Sequence, residues 1–379
     1  MFVMKKKLIL AATCLALGMN AMAGDLHVSG KLQGLGNDTL VAMTILTNDV
    51  DQTVKVVGKD GSFDFHIQVD QPKNLLLQIR HPKREGAQPM GGYMSTMAMP
   101  GEELTIAGSL ADYTLGGSKY YQQVEQARQV TKSFDEAVKN LSRDYQAKIQ
   151  QGANEDSLEQ VMDKAYEEIM NGISEASLKY IKAHPDDEAS QYLLHQVSVD
   201  KYKEAIAALS PAVREGRLKM LIDNYAARSQ KSLDREEAKK KVADGKMAPD
   251  FTLKSIDGKD ISLSSLKGKT VVLDFWGSWC GWCIKGMPKM KEYYAKYKGK
   301  FEILGIDCND TEQKWRDAVK KHELPWLQVR NEGKTDVTVL YGISGFPTKI
   351  VVNPDGTIGK VIVGESEDFY KYLDETLSK

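Results

Sequence analysis

Cys280 and Cys283 stand two residues apart in the stretch Trp279-Cys280-Gly281-Trp282-Cys283. Their setting gives the pair a chemistry. Val271 to Trp276 is an apolar run opened by two β-branched residues, which predicts a buried strand. Gly277 and Ser278 break the run, and Ile284 to Tyr297 reads as a helix. A thiol at such a junction sits at a helix N-terminus, where free amides and the helix dipole favour the thiolate, so Cys280 is expected to be the exposed nucleophile. The second thiol lies one turn along, close enough to attack a mixed disulfide formed on the first. Asp274 is an acid in the otherwise apolar strand. Burial there would raise its pKa, whereas an acid at an exposed strand end would keep an ordinary one.

Other residue types that could react are sparse. Cys308 follows Gly305-Ile306-Asp307 at the end of another predicted strand and reads as a free, partly buried thiol, with a regulatory disulfide partner as the alternative. Met90, Met94, Met97 and Met99 could hold Cu(I) through their thioethers. The run Tyr93 to Met99 ends in Pro100-Gly101 and reads more simply as a strand with adaptable apolar side chains. His184 and His195 have no partner at ligand spacing. Zinc normally takes four ligands and the chain offers one Cys pair, so no metal site is expected.

The elements that must position these groups occupy the last third of the chain. Asp257-Gly258-Lys259 is a hairpin turn. Phe301 to Ile306 is a strand and Glu312 to His322 a helix. Lys349 to Val352 and Lys360 to Val363 flank the turn Asn353-Pro354-Asp355-Gly356 and predict an antiparallel pair. Phe369 to Leu377 closes as a helix. Gly345-Phe346-Pro347-Thr348 puts a proline directly before a strand, which is unusual for a central ladder.

Asp274-Phe275-Trp276 followed by Trp279-Cys280-Gly281-x-Cys283 resembles the thioredoxin active site. Ala248-Pro249-Asp250-Phe251-Thr252-Leu253 resembles the entry to TlpA-like and peroxiredoxin-like domains. The wider context is similar to the TlpA/ResA-type thiol-disulfide oxidoreductases of the bacterial envelope. The resemblance implies a thioredoxin fold with an extra N-terminal hairpin and a redox disulfide between Cys280 and Cys283. Asp274 would lie beneath Cys283 and relay its proton, Pro347 would be a cis-proline, and Phe346 would face the substrate with Trp279, Gly281 and Trp282. It implies disulfide-containing protein substrates, a membrane electron-relay donor and no cofactor. Two positions depart from the pattern. Many ResA-like proteins carry an acid three residues after the second cysteine, where this chain has Gly286. The central dipeptide is Gly-Trp instead of Gly-Pro. A peroxiredoxin-like peroxidase is the alternative, but the residues before Cys280 lack the threonine spacing such an enzyme uses. A non-catalytic metal- or protein-binding module is the other alternative.

Upstream, the chain changes character twice. From about 24 to 117 it reads as β: Leu26-His27-Val28, Thr39 to Leu46, Leu75 to Arg80 and Leu104 to Ala107 are strands. Thr53 to Val57 and Phe63 to Val69 flank Lys59-Asp60-Gly61-Ser62 and predict a hairpin. An antiparallel β-sandwich is expected, similar to the uncharacterised β domain that often precedes envelope thioredoxin domains. From 118 to 243 about four helices are expected, with breaks at Gly152 to Asp156 and at His184-Pro185. Val124, Ala127, Phe134, Val138, Leu141, Tyr145 and Ile149 mark one amphipathic face. Ser210-Pro211 carries a helix-start signal. Leu218, Leu221, Ile222 and Tyr225 then line one face, and the charged run from Arg235 to Lys241 reads as a solvated helix end. This region, with no metal-ligand cluster expected, would serve partner choice or a homo-oligomer, and residues 244 to 379 would hold the chemistry.

The 379 residues suit two or three units. A net charge of -1 gives no footprint for a nucleic-acid partner. Residues 1 to 23 read as a cleavable signal: three lysines, an apolar run from Leu8 to Met19, and Ala21-Met22-Ala23 before Gly24. Cleavage would remove Cys14 and take the net charge to -4. In an oxidising periplasm, three remaining thiols argue for redox chemistry over stapling.

Overall fold

The computed structural model describes residues 24–46, 49–80, 90–333 and 335–378. The expected signal, with Cys14, lies outside them. The chain forms two compact units, one ending at Tyr225 and one beginning at Ala226.

The first unit opens with eight strands: β1 (Gly24–Leu32), β2 (Thr39–Leu46), β3 (Asp49–Val57), β4 (Ser62–Val69), β5 (Lys73–Arg80), β6 (Met90–Ala98), β7 (Glu103–Gly108) and β8 (Tyr113–Gly117). They make two four-stranded sheets, ordered β4-β1-β7-β8 and β3-β2-β5-β6. Two expectations need correction. The sheets are not wholly antiparallel, because β1 pairs in parallel with β7. The strands flanking Lys59-Asp60-Gly61-Ser62 are not a hairpin either. The turn forms, with Lys59 and Ser62 exchanging backbone bonds of 2.9 Å. However, β3 pairs with β2 and β4 pairs with β1, so the turn carries the chain from one sheet to the other. Gly58 lets the Gly36 backbone come close beside this turn: a Cβ there would stand 2.6 Å from the Gly36 carbonyl oxygen.

Alternation along the strands directs Leu26, Val28, Ile67 and Leu104 of one sheet, and Leu40, Leu75, Leu77 and Met94 of the other, into one core. Met99 is also buried there, so this thioether packs as a hydrophobe. Helices follow: α1 (Lys119–Gln150), α2 (Glu155–Ala183), α3 (Tyr202–Ala208), α4 (Pro211–Arg214) and α5 (Lys219–Lys241), with 3-10 turns between α2 and α3. Asn154 caps α2 through Ser157, and Ser210 caps α4 through Val213. Tyr120, Tyr121, Val124 and Ala127 of α1 enter the core the strands share. His184 and His195 each pack against a tyrosine ring, Tyr180 and Tyr192.

The division between units falls inside α5. The second unit holds β9 (Thr252–Ser255), β10 (Asp260–Ser262), β11 (Thr270–Trp276), α6 (Gly281–Lys296), β12 (Phe301–Asp307), α7 (Glu312–Lys321), β13 (Leu327–Arg330), α8 (Val337–Leu340), β14 (Thr348–Val352), β15 (Ile358–Val363) and α9 (Glu367–Leu377). Its sheet is ordered β10-β9-β13-β12-β11-β14-β15. The central β11 is parallel to β12 and antiparallel to β14. This is a thioredoxin fold, with the β9–β10 hairpin added at one edge. Every residue of β11 is buried, because helices cover both of its faces. Leu273 and Phe275 enter one cluster with Val329, Tyr341 and Ile350. Val272 enters another with Met290, Phe369 and Tyr370, and Trp276 packs with Cys283 and Met287. Asp274, between Val272 and Trp276, therefore lies on the face covered by α6 and α9.

Candidate active site

Cys280 and Cys283 are joined by a disulfide, with S–S 1.98 Å and Cα atoms 5.3 Å apart. Cys280 is the N-cap of α6, and its Sγ accepts the Cys283 amide at 3.1 Å. The helix begins at Gly281, earlier than Ile284, so both sulfurs sit in the first turn, whose amides have no partner within the helix and one of which donates to Cys280 Sγ. Pro288 lies inside α6 and removes the amide that would bond the Ile284 carbonyl.

The expectation of an exposed first thiol requires correction. Cys280 is 6% and Cys283 5% exposed. The bulky neighbours take the solvent instead: Trp279 is 51% and Trp282 61% exposed. The Trp279 indole folds back over Gly277, where a Cβ would meet Nε1 at 2.4 Å. It donates to the Cys308 carbonyl at 2.9 Å and meets the Phe346 ring edge-on at 5.1 Å. The Phe346–Pro347 peptide is cis. Pro347 is buried, Phe346 half-buried, and the Pro347 carbonyl accepts the Gly364 amide at 2.7 Å. The structure thus gathers Trp279, Cys280, Cys283 and Phe346 around one apolar cluster, with Gly281 and Trp282 exposed on the first turn of α6. Asp310 holds the approach to the cysteines, accepting the Ser278 amide and hydroxyl at 2.6 and 2.7 Å.

Asp274 is 4% exposed, and its Oδ1 has no hydrogen-bond partner. Burial pushes its carboxyl up to about 6, against the pull of Lys349 and with the push of Glu365. Lys349 is its register partner on β14 and is itself 1% exposed. Lys349 Nζ pairs with Glu365 Oε2 at 2.7 Å, and Tyr370 donates to Glu365 Oε1 at 2.7 Å. Neither Lys349 nor Glu365 stands out in the sequence. A lysine in mid-strand reads as an edge residue, and its partner comes from beyond the next strand. Gly286 is closely linked to this group: a Cβ there would fall 2.3 Å from Glu365 Oε2.

Cys308 is fully buried, not partly, and its Sγ donates to the Ile306 carbonyl at 3.4 Å. Burial, then the nearby Asp307, pushes this thiol far up, so it stays protonated and unreactive.

The first unit brings together one group that the sequence hid. His27 and His66 are paired across β1 and β4, and with Asp64 their ligand atoms lie within 4.8 Å of one another. The expectation of no such cluster upstream is therefore corrected. The two imidazoles stack, 4.5 Å apart and 12° from parallel. Each ring bonds its own carboxylate, His27 with Asp64 at 3.1 Å and His66 with Asp25 at 2.5 Å. Parallel rings cannot aim two lone pairs at one ion without turning, so the group is a stacked, carboxylate-paired couple.

A disulfide spanning the first turn of a helix, on this sheet, defines the class: a thioredoxin-like thiol-disulfide oxidoreductase. The AhpC/TSA family model matches residues 245–361. The thiol-disulfide oxidoreductase ResA of a Bacillus cereus strain is 40% identical over 140 residues, covering 36% of this chain and 80% of that protein. ResA of Bacillus subtilis (strain 168) is 36% identical over 129 residues, covering 33% and 70%. A crystal structure of the thioredoxin domain of a thiol-disulfide oxidoreductase from Bacteroides vulgatus aligns at 33% identity and TM-score 0.33, covering 36% of this chain and 98% of that one. The chain belongs to the ResA-like thiol-disulfide oxidoreductases.

Proposed function

We propose that this protein reduces protein disulfides through Cys280 and Cys283. The observation that carries the reading is their disulfide at the start of α6, where free amides stabilise a thiolate on Cys280. In the reduced enzyme, the Cys280 thiolate attacks a substrate disulfide. One substrate sulfur leaves as a thiolate and a mixed disulfide forms. Asp274 takes the proton from Cys283, whose thiolate then attacks Cys280 Sγ and releases the second substrate sulfur. The substrate gains two electrons, and the enzyme is left with the Cys280–Cys283 disulfide. A dithiol donor must reduce it, and a membrane electron-relay protein is the donor we propose.

Trp279, Gly281, Trp282 and Phe346 form the substrate-facing rim, with Pro347 against the disulfide. Their support is the exposure of the two indoles and the edge-on contact of Trp279 with Phe346. We place the reaction in the periplasm, on the reading of residues 1 to 23 as a signal. Among the described residues, no helix is long and apolar enough to cross a membrane. The two sheets of the first unit share one core, which supports a β-sandwich. That unit, with its helices, would choose partners or join a second copy.

The test is a trap. Cys283→Ser, reduced and mixed with a disulfide substrate, should accumulate one adduct, on Cys280. An adduct on Cys308 and none on Cys280 would remove this mechanism. A peroxidase would instead let reduced Cys283→Ser reduce one equivalent of hydrogen peroxide to water as fast as the parent does, its Cys280 ending as a sulfenic acid.

A further inference from the structure

We propose that Glu365 is a positioning residue for the proton transfer at Cys283, acting through Lys349 on Asp274. The proposal rests on the reading above that Asp274 serves Cys283.

The argument starts from charge. Asp274, Lys349 and Glu365 are two acids and one base held away from water beneath α6. Lys349 and Asp274 are direct cross-strand partners, so their side chains share a sheet face. An ammonium so placed would ordinarily hold Asp274 as a carboxylate. Glu365 prevents this. It takes the Lys349 ammonium at 2.7 Å, while Asp274 Oδ1 is left with no partner. With Glu365 and Lys349 neutralising each other, Asp274 remains a carboxyl that can take up and return a proton near neutral pH.

Glu365 is held in this place by more than the ion pair. Tyr370 on α9 donates to its Oε1 at 2.7 Å. Burial and Glu365 itself push the Tyr370 phenol up, so it remains a neutral donor. On the α6 side, the carboxylate occupies the volume where a side chain at 286 would begin. Gly286 follows Cys283 by one turn, so the bare backbone there lets a carboxylate from beyond β15 reach the helix beneath the second cysteine. The ionisable groups that interact with Asp274 are Lys349 on β14, Glu365 after β15, Tyr370 on α9 and Cys308 after β12, with Cys283 on α6 as its proposed proton partner. The Lys289–Glu367 pair lies further out, with Lys289 over the Tyr370 ring.

The test uses the full chain and follows how resolution of the mixed disulfide depends on pH. A preformed adduct on Cys280 is followed by stopped flow between pH 5 and 9. Glu365→Gln keeps the shape and frees Lys349 to act on Asp274, so the apparent pKa of resolution should fall by about one unit. Lys349→Met removes the ammonium, so the same pKa should rise. Gly286→Ala keeps every charge but displaces the Glu365 carboxylate, and it should shift the profile the way Glu365→Gln does. It also serves as the readout if Lys349→Met fails to fold. A purely structural role for Glu365 would slow resolution at every pH without moving its pKa. An unmoved pKa in Glu365→Gln and Gly286→Ala, or a shift upward in either, overturns the proposal. If the adduct on Cys280 never forms or never resolves in the parent protein, the reading of the cysteines fails instead, and the two failures are distinguishable.

Discussion

Asp310 grips Ser278 with both carboxylate oxygens, taking its amide at 2.6 Å and its hydroxyl at 2.7 Å. The two residues come from different strand ends, so this contact ties the approach to Cys280 to the loop after β12. With Trp279 bonded to the Cys308 carbonyl in the same place, the segment before the cysteines is fixed on two sides.

Asp310→Ala should therefore loosen the approach without touching a sulfur. The loss of two hydrogen bonds to a charged group corresponds to roughly 2–4 kcal/mol of stability. Urea unfolding of the oxidised protein measures it, and a generic disulfide-reduction assay should show a slower rate. Unchanged values of both would mean the contact holds nothing in place.

Asp274→Asn should stabilise the oxidised protein in a pH-dependent way. The folded carboxyl lies at about 6, above its ordinary 3.8. Between those values the folded protein keeps a proton that the unfolded chain has released, so folding stability falls as pH rises through the window. Above pH 6 the ionised acid costs the fold about 3 kcal/mol. The variant should gain stability of that order at pH 8, and the gain should shrink toward pH 4. The same variant should slow resolution of a mixed disulfide more than its formation. A stability gain equal at both pH values would show that Asp274 does not titrate as described.

A fragment beginning at Ala226 should unfold at a higher temperature than one beginning at Gly245. The longer fragment retains the Lys231–Asp336 ion pair, the Arg235–Thr338 bond of 3.2 Å and the buried Val242. It should also reduce insulin about as fast as the full chain, since the groups assigned to the chemistry all follow Ala226. Equal melting of the two fragments would make the second half of α5 dispensable.

Native, reduced protein treated with iodoacetamide should be alkylated at Cys280 and spared at Cys308. The latter is buried with its thiol held protonated. Unfolding before treatment should expose it. Labelling of Cys308 in the folded protein would revive a regulatory role for that thiol.

The sequence makes local features legible and leaves partners unnamed. The β2 limits follow from an apolar run, and the α4 start from Ser210-Pro211. The strand and helix around Cys280 and Cys283 are equally local. The β3–β4 turn shows the limit. Lys59-Asp60-Gly61-Ser62 specifies a tight turn, but alternation on either side does not say which strand each neighbour will pair with. The parallel pairing of β1 with β7 is a long-range choice of the same kind. Lys349, Glu365 and Gly286 escape for a related reason. Each is ordinary alone, and only the β11–β14 register and the return of the chain after β15 bring them together. His27 and His66 likewise meet only through strand register.

Trp276 packs in the same buried cluster as both sulfurs, and Trp315 joins it from α7. A disulfide quenches nearby indole emission, and a pair of thiols does so less. The protein therefore carries its own optical gauge: its intrinsic fluorescence should brighten as the bond opens and dim as it closes. Redox titration in a cuvette needs no attached dye.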